Sequence, residues 1–287
     1  MPKPSHAAFV AGLLSGHSVE IGAKDIAQIL TAGPLLPRST SVAIAHFPDE
    51  DSAIRVEAAV AVRRSGHVPI PHVAARRVRS ADELTHFLAR LRQEAAVDRM
   101  FLIAGDPERP LGPYRDALAL IETGYFEEVG TTHVGIAGYP DGHPRIATPD
   151  LWRALEQKVM ALQGRGHEVD IVTQFSFEAA SVLRWLAELR DRGIDVPVKV
   201  GVPGPISLSG LVHFAARSGV SASASALAKY GTSIGRVIGT VGPLPFMKKL
   251  GEGLETRDYG RISLHFYTFG ALHQTVDWIR DTSSLTR

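Results

Sequence analysis

Leu264-His265-Phe266-Tyr267-Thr268 closes the last of eight short apolar runs, and what it closes on points to the fold. Four other runs also finish on polar or ionisable groups: Ser18-Val19-Glu20-Ile21, Pro69-Ile70-Pro71-His72, Phe101-Leu102-Ile103-Ala104-Gly105-Asp106 and Ile171-Val172-Thr173-Gln174. Apolar strands that repeatedly end in a carboxylate, an imidazole, an amide or a phenol indicate one face where several strands deliver chemistry.

Working outward, each run is followed by a helical pattern. Strands are expected at 18–22, 40–46, 68–74, 99–104, 133–138, 169–175, 196–202 and 261–267. A leading helix at about 5–15 precedes them, and an extra helical stretch at about 221–250 precedes the last strand. Further helices are expected over about 51–65, 113–123, 150–164 and 206–218. Ser80 and Glu83 have the spacing of a capping box before the stripe Leu84, Phe87, Leu88, Leu91. Leu151, Leu155, Val159 and Leu162 share one face of the helix at 150–164. Val182, Leu186 and Leu189 share a face of the helix that stops at Gly193, and Leu272, Val276 and Ile279 a face of the last. The strands read as apolar on both faces, as buried parallel strands do. Eight βα units in one α/β chain give a (β/α)8 or TIM barrel, with 1–287 as a single domain. A doubly wound open sheet is the rival, but no G-x-G-x-x-G follows any strand.

The bulk composition excludes several function classes. The net charge of +1 gives no electrostatic case for nucleic acid or an anionic membrane. The absence of cysteine removes disulfides, thiolate metal sites and thiol nucleophiles. No apolar run approaches the ~20 residues of a membrane span. Met1-Pro2-Lys3-Pro4-Ser5 lacks the apolar core of a signal peptide, so a cytoplasmic protein is expected. Whether it forms a homo-oligomer stays open.

In a barrel, chemistry gathers at the C-terminal ends of the strands. Glu20, His72, Asp106, Tyr139, Gln174 and Tyr267 are then expected on one rim. Taken singly, each has a plain alternative. Asp106 before Pro107 suits a turn, His72 a satisfied core imidazole, and Tyr267 an aromatic at a barrel end. Gln174 is harder to set aside, because a buried amide left unpaired costs about 1–3 kcal/mol. Joint placement is what raises them. Gly231, Gly235 and Gly239 fit close helix packing better than phosphate binding, since no Lys-Ser/Thr follows. Arg76, Arg77 and Arg79 read first as a solvated loop that could also meet an anionic tail. Twelve histidines, His143 and His167 among them, lack metal-ligand spacing, so no metal site is expected.

In chain order, Glu20, Pro71-His72, Gly105-Asp106, Gly138-Tyr139-Pro140-Asp141-Gly142-His143-Pro144, Thr173-Gln174-Phe175 and His265-Phe266-Tyr267-Thr268 resemble the 5,10-methylenetetrahydrofolate reductase family. The resemblance runs from about 18 to 270. It implies a (β/α)8 barrel that reduces 5,10-methylenetetrahydrofolate to 5-methyltetrahydrofolate with NADH or NADPH. It places the catalytic acid on Glu20, where a carboxyl raised by burial would protonate the folate and open its methylene bridge. It places the pterin-facing carboxylate on Asp106, grouped here with the catalytic residues, and the folate-contacting amide on Gln174. A carboxylate and an amide suit the donor and acceptor edge of a pterin. Tyr267 matches an aromatic on the nicotinamide side.

The departures concern the flavin that the usual member of the family carries. A Thr-Tyr-Gly-Ala type run is replaced by Ala45-His46-Phe47-Pro48. The Arg before the Gly-Asp pair is Ala104, polar positions on the fifth helix are Leu151 and Ala154, and a later Arg is Ala271. His72, Tyr139, His143 and Lys158 remain of the cofactor-side set. The folate side survives while much of the FAD cradle does not, which favours direct hydride transfer from nicotinamide to folate. An FAD enzyme, the reverse oxidation of methyltetrahydrofolate, and a non-catalytic folate-binding paralogue are the alternatives.

Overall fold

A computed structural model describes residues 12–48, 50–205 and 243–285. Eight strands run β1 Ser18–Gly22, β2 Ser41–Ala45, β3 Val68–Ala74, β4 Arg99–Ile103, β5 His133–Gly138, β6 Glu168–Thr173, β7 Val198–Pro203 and β8 Ile262–Tyr267. Each pairs in parallel with the next, and β8 pairs with β1 through Ser18 opposite His265 and Glu20 opposite Tyr267. The sheet therefore closes on itself, and the open-sheet alternative is excluded. The expected strand bounds differ by one or two residues at most.

Helices cover the outside: α1 Ile26–Ala32, α2 Ser52–Arg64, α3 Ala81–Ala95, α4 Ala117–Ile121, α5 Tyr125–Glu128, α6 Thr148–Gly164, α7 Ala179–Asp191, α8 Leu244–Leu254 and α9 Leu272–Leu285. Ser80 caps α3 by accepting from the Glu83 N–H at 3.1 Å, while the Glu83 carboxylate reaches back to the Arg79 N–H at 3.0 Å. The reciprocal bond thus lands one residue before the cap. The expected stripe Leu84, Phe87, Leu88, Leu91 is buried. Full burial of each such side chain contributes about 1.5–3 kcal/mol.

Two expectations shift. The helix near 113–123 begins only at Ala117, because the Asp116 carboxylate caps it by accepting from the Ala119 N–H. On α6 the buried row is Trp152, Leu155, Val159 and Leu162, with Leu151 half-exposed. Trp152 takes the core position and stacks on Trp185 of α7 at 5.6 Å. Of the leading helix, residues 12–14 are helical and the rest lies outside the described residues. The helix at 206–218 and most of the stretch at 221–250, with its three spaced glycines, also lie outside them. The described end of that stretch is α8, which packs Phe246, Met247 and Leu250 inward.

The main core lies between sheet and helices. Val19, Ile21, Val42, Ile44, Met100 and Leu102 face it from the first strands. A second, small apolar cluster of Ile70, Phe101 and Val172 is separate from it. The strands are therefore not apolar on both faces. Their inward positions carry Ser18, Glu20, His72, His133, Asp170, Lys199, His265 and Tyr267 around one narrow cavity of about 20 Å³. Period-two alternation sends every second residue inward. Among the described residues, no helix is long and apolar enough to cross a membrane.

Candidate active site

The register of β8 on β1 sets Glu20 beside Tyr267 and Ser18 beside His265. The Glu20 carboxylate lies 3.5 Å from His72 Nε2 and 3.8 Å from His265 Nε2, with its side chain 13% exposed. These separations are ion-pair distances, too long for hydrogen bonds, and His72 Nε2 has no hydrogen-bond partner among the described residues. Burial pushes the His72 imidazole down to about 4, against the pull of Glu20. His72 is therefore neutral at pH 7 and gives Glu20 no compensating cation. His265 exchanges a 2.8 Å hydrogen bond with the Ser18 hydroxyl through Nδ1, which leaves Nε2 turned toward Glu20. The Thr268 hydroxyl donates to the Glu20 carbonyl at 2.6 Å and fixes the strand end.

Aromatic rings wall the β6–β8 side of the mouth. Tyr267 donates its hydroxyl to the Thr173 carbonyl at 3.0 Å. Its ring meets His265 at 4.9 Å, Phe175 at 5.4 Å and Phe269 at 6.2 Å. Burial raises the Tyr267 phenol well above its ordinary value, and the nearby Glu20 and Tyr139 raise it further. Phe269 has φ +53, a conformation that is costly for a bulky residue and holds its ring at this wall. Tyr139 is also raised by burial and meets the His143 ring edge-on at 5.3 Å. Gln174 turns its side-chain carbonyl back to accept from the Phe175 N–H at 3.0 Å.

Across the mouth, Asp106 accepts from Arg77 Nη2 at 2.6 Å. Arg55 is buried against Phe87, its guanidinium 4.4 Å from the ring centre, and it donates to the His72 carbonyl. His46, at the end of β2, is pushed down to about 2 by burial and by Arg55 and Arg77. The Phe47 ring packs beside Gly22, where an added Cβ would stand 3.1 Å from it. On α6, Lys158 is lowered to about 8 by burial, with Asp116 acting the other way.

The lower half of the barrel interior holds a second polar group. Lys199 Nζ lies 2.5 Å and His133 Nε2 lies 3.1 Å from Asp170 Oδ2. Burial would raise the Asp170 carboxyl, but His133 and Lys199 outweigh it and hold the group well below the carboxylate range. The His133 contact is close but off the line of a good hydrogen bond. Lys199 makes the shorter of the two contacts. Gly135 makes room for this group, since a Cβ there would meet Asp170 Oδ1 and Phe101 at 2.8 Å.

Of the residues expected on the rim, Glu20, His72 and Tyr267 line one cavity, and Tyr139 stands near Tyr267. Asp106 is paired with the neighbouring strand end, Gln174 is turned onto its own chain, His143 stays in the Tyr139 loop, and Lys158 faces Asp116. Ser18, His265 and Arg77 were not singled out as site residues. Alternation marks the first two, two residues from Glu20 and Tyr267 on the same faces. Asp170 and Lys199 had no signal beyond single charges in apolar runs.

The sequence profile of the family described as methylenetetrahydrofolate reductase matches residues 49–229, more than half of the chain. The match does not include Glu20 or the His265–Thr268 stretch. A 104-residue segment is 26% identical to methylenetetrahydrofolate reductase 2 of Saccharomyces cerevisiae, covering 36% of this chain and 16% of that protein. In shape, the chain resembles a protein described as a deoxyribose-phosphate aldolase from Toxoplasma gondii ME49. The likeness covers 98% of both chains, with a TM-score of 0.50 and 9% identity. At that identity the likeness is one of fold alone.

Proposed function

The chain belongs to the methylenetetrahydrofolate reductase family, and from that premise we propose that it reduces 5,10-methylenetetrahydrofolate to 5-methyltetrahydrofolate with NADH or NADPH. Hydride passes directly from nicotinamide C4 to the one-carbon unit. Glu20 protonates N10, the bond from the methylene carbon to N10 breaks, and the resulting N5 iminium accepts the hydride. Substrate, reductant and one proton give product and the oxidised nicotinamide. Asp106 and Gln174 hold the pterin edge, Tyr267 backs the nicotinamide side, and residues 1–287 act as one cytoplasmic barrel unit.

The observation that carries this reading is Glu20, held mostly buried in the barrel mouth. Neutral His72 stands on one side and the Ser18-oriented His265 on the other. Binding alone has no use for a carboxyl so placed. A flat substrate over the mouth completes the exclusion of water that an acid and a hydride acceptor both need.

The donors present do not fit a flavin cradle. Ala104, Leu151 and Ala154 offer no side-chain donor where the resemblance calls for polar contacts. His46 is a buried neutral imidazole, and Lys158 is buried against Asp116. Purified protein assayed without added flavin tests the reading. A colourless enzyme that turns over, with intersecting double-reciprocal lines, supports it. Stoichiometric FAD with parallel lines overturns direct transfer, and no turnover with either nicotinamide in either direction overturns the enzyme.

A further inference from the structure

We propose that Arg77 is a positioning residue that fixes the Asp106 carboxylate for recognition of a pterin edge. The inference rests on the folate reading above and names how that site is held. Arg77 ends the short helical turn Ala75–Arg77 that follows β3, and Asp106 lies in the loop after β4. Nη2 at 2.6 Å and Nε at 3.2 Å both donate to Oδ1. Oδ2 takes no bond among the described residues.

The burial of the two groups is unequal, and that decides the reading. The Arg77 side chain is 12% exposed and Asp106 is 36% exposed. An ordinary surface pair exposes both partners and holds neither firmly. Here a shielded guanidinium grips one oxygen with two donors and leaves the other free to accept. A pterin offers adjacent N–H donors on its amino-pyrimidine edge, and a fixed acceptor oxygen is the complementary group. Ala104 stands where the resemblance expects a flavin-contacting Arg, and the cation beside this carboxylate comes from the turn after β3.

The backbone around Asp106 is held without Arg77's side chain. The Arg76 N–H donates to the Ala104 carbonyl at 2.9 Å, and the Leu111 N–H donates to the Arg76 carbonyl at 2.8 Å. Arg76 Nε donates to the Arg115 carbonyl at 2.7 Å. Gly112 packs so close that a Cβ would stand 2.3 Å from the Arg79 carbonyl oxygen. The loop is docked on the turn by these contacts, and Arg77 decides only where the carboxylate points.

The test compares Arg77→Gln, Arg77→Lys and Asp106→Asn with wild type in steady-state kinetics and urea unfolding. Arg77→Gln is expected to raise KM for methylenetetrahydrofolate about 10- to 100-fold, the scale of a lost charged hydrogen bond. The loss falls on KM for folate and not on KM for the nicotinamide. Arg77→Lys recovers part of it, since a point charge can pair but cannot hold one oxygen with two donors. The double variant Arg77→Gln/Asp106→Asn is expected to be no worse than Asp106→Asn alone. A shifted urea midpoint with unchanged folate KM in folded Arg77→Gln or Arg77→Lys overturns the inference and leaves the folate reading standing. Wild-type protein that neither binds nor turns over folate overturns both.

Discussion

Replacing Glu20 by Gln keeps the size of the side chain and removes the proton it is assigned to deliver. General acid catalysis is worth about 10²- to 10⁴-fold. The surroundings place this case in the lower half of that range. His265 Nε2 is 3.8 Å from the carboxylate and is oriented by Ser18, so it can serve as a poor substitute donor. His72 cannot, because burial keeps it neutral down to about pH 4. Glu20→Gln is therefore expected to lower kcat about 10²- to 10³-fold, or about 3–4 kcal/mol in the barrier. KM for folate should change less than about threefold, because the proposed pterin contacts fall on Asp106 and Gln174 and not on Glu20. The assay is nicotinamide oxidation at saturating methylenetetrahydrofolate, with folding checked by urea. A folded Glu20→Gln variant within about threefold of wild-type kcat refutes the assignment.

Lys199→Met strips Asp170 of its 2.5 Å partner and leaves His133 alone, so a loss of about 3 kcal/mol in urea unfolding is expected, the lower end for breaking a buried pair. Adding Asp170→Asn should recover much of it, and a loss below about 1 kcal/mol contradicts the pairing. Gly135→Ala should cost about 1–3 kcal/mol by the same measurement, because its Cβ meets Asp170 and Phe101 at 2.8 Å. His72 is pulled from 6.5 to about 4, so the folded state binds fewer protons than the unfolded chain in that window. Its contribution is intact above about 6.5 and is lost as pH falls toward 4, with a slope of up to about 1.4 kcal/mol per pH unit. Comparing urea midpoints at pH 7 and pH 5 should show a smaller drop in His72→Gln than in wild type, and equal drops contradict the buried neutral imidazole.

The barrel was legible because each β run and most helices carry a local signal, while the short α1 and α5 carry too little to be read. Strand ends held to within one or two residues, and caps such as Ser80 are written in adjacent residues. The polar interior was not legible. Asp170 and Lys199 each look like a stray charge in an apolar run, and only the pairing of β6 with β7 sets them 2.5 Å apart. Glu20 and Tyr267 could be named from strand ends, but their adjacency depends on β8 pairing with β1 across almost the whole chain. Arg77 read as a solvated loop residue because its partner lies 29 positions away. Long-range pairing is the information that a local reading of periodicity lacks.

The most direct test of hydride passing from nicotinamide to folate is an isotope experiment. NADH or NADPH carrying deuterium at the transferred C4 position is reacted with methylenetetrahydrofolate in ordinary water, and the product methyl group is analysed by mass. A reduced flavin holds the transferred hydrogen on a nitrogen that exchanges with water, whereas direct transfer never exposes it. The account predicts one deuterium per product methyl, undiminished when turnover is slowed. Label that washes out into water contradicts it.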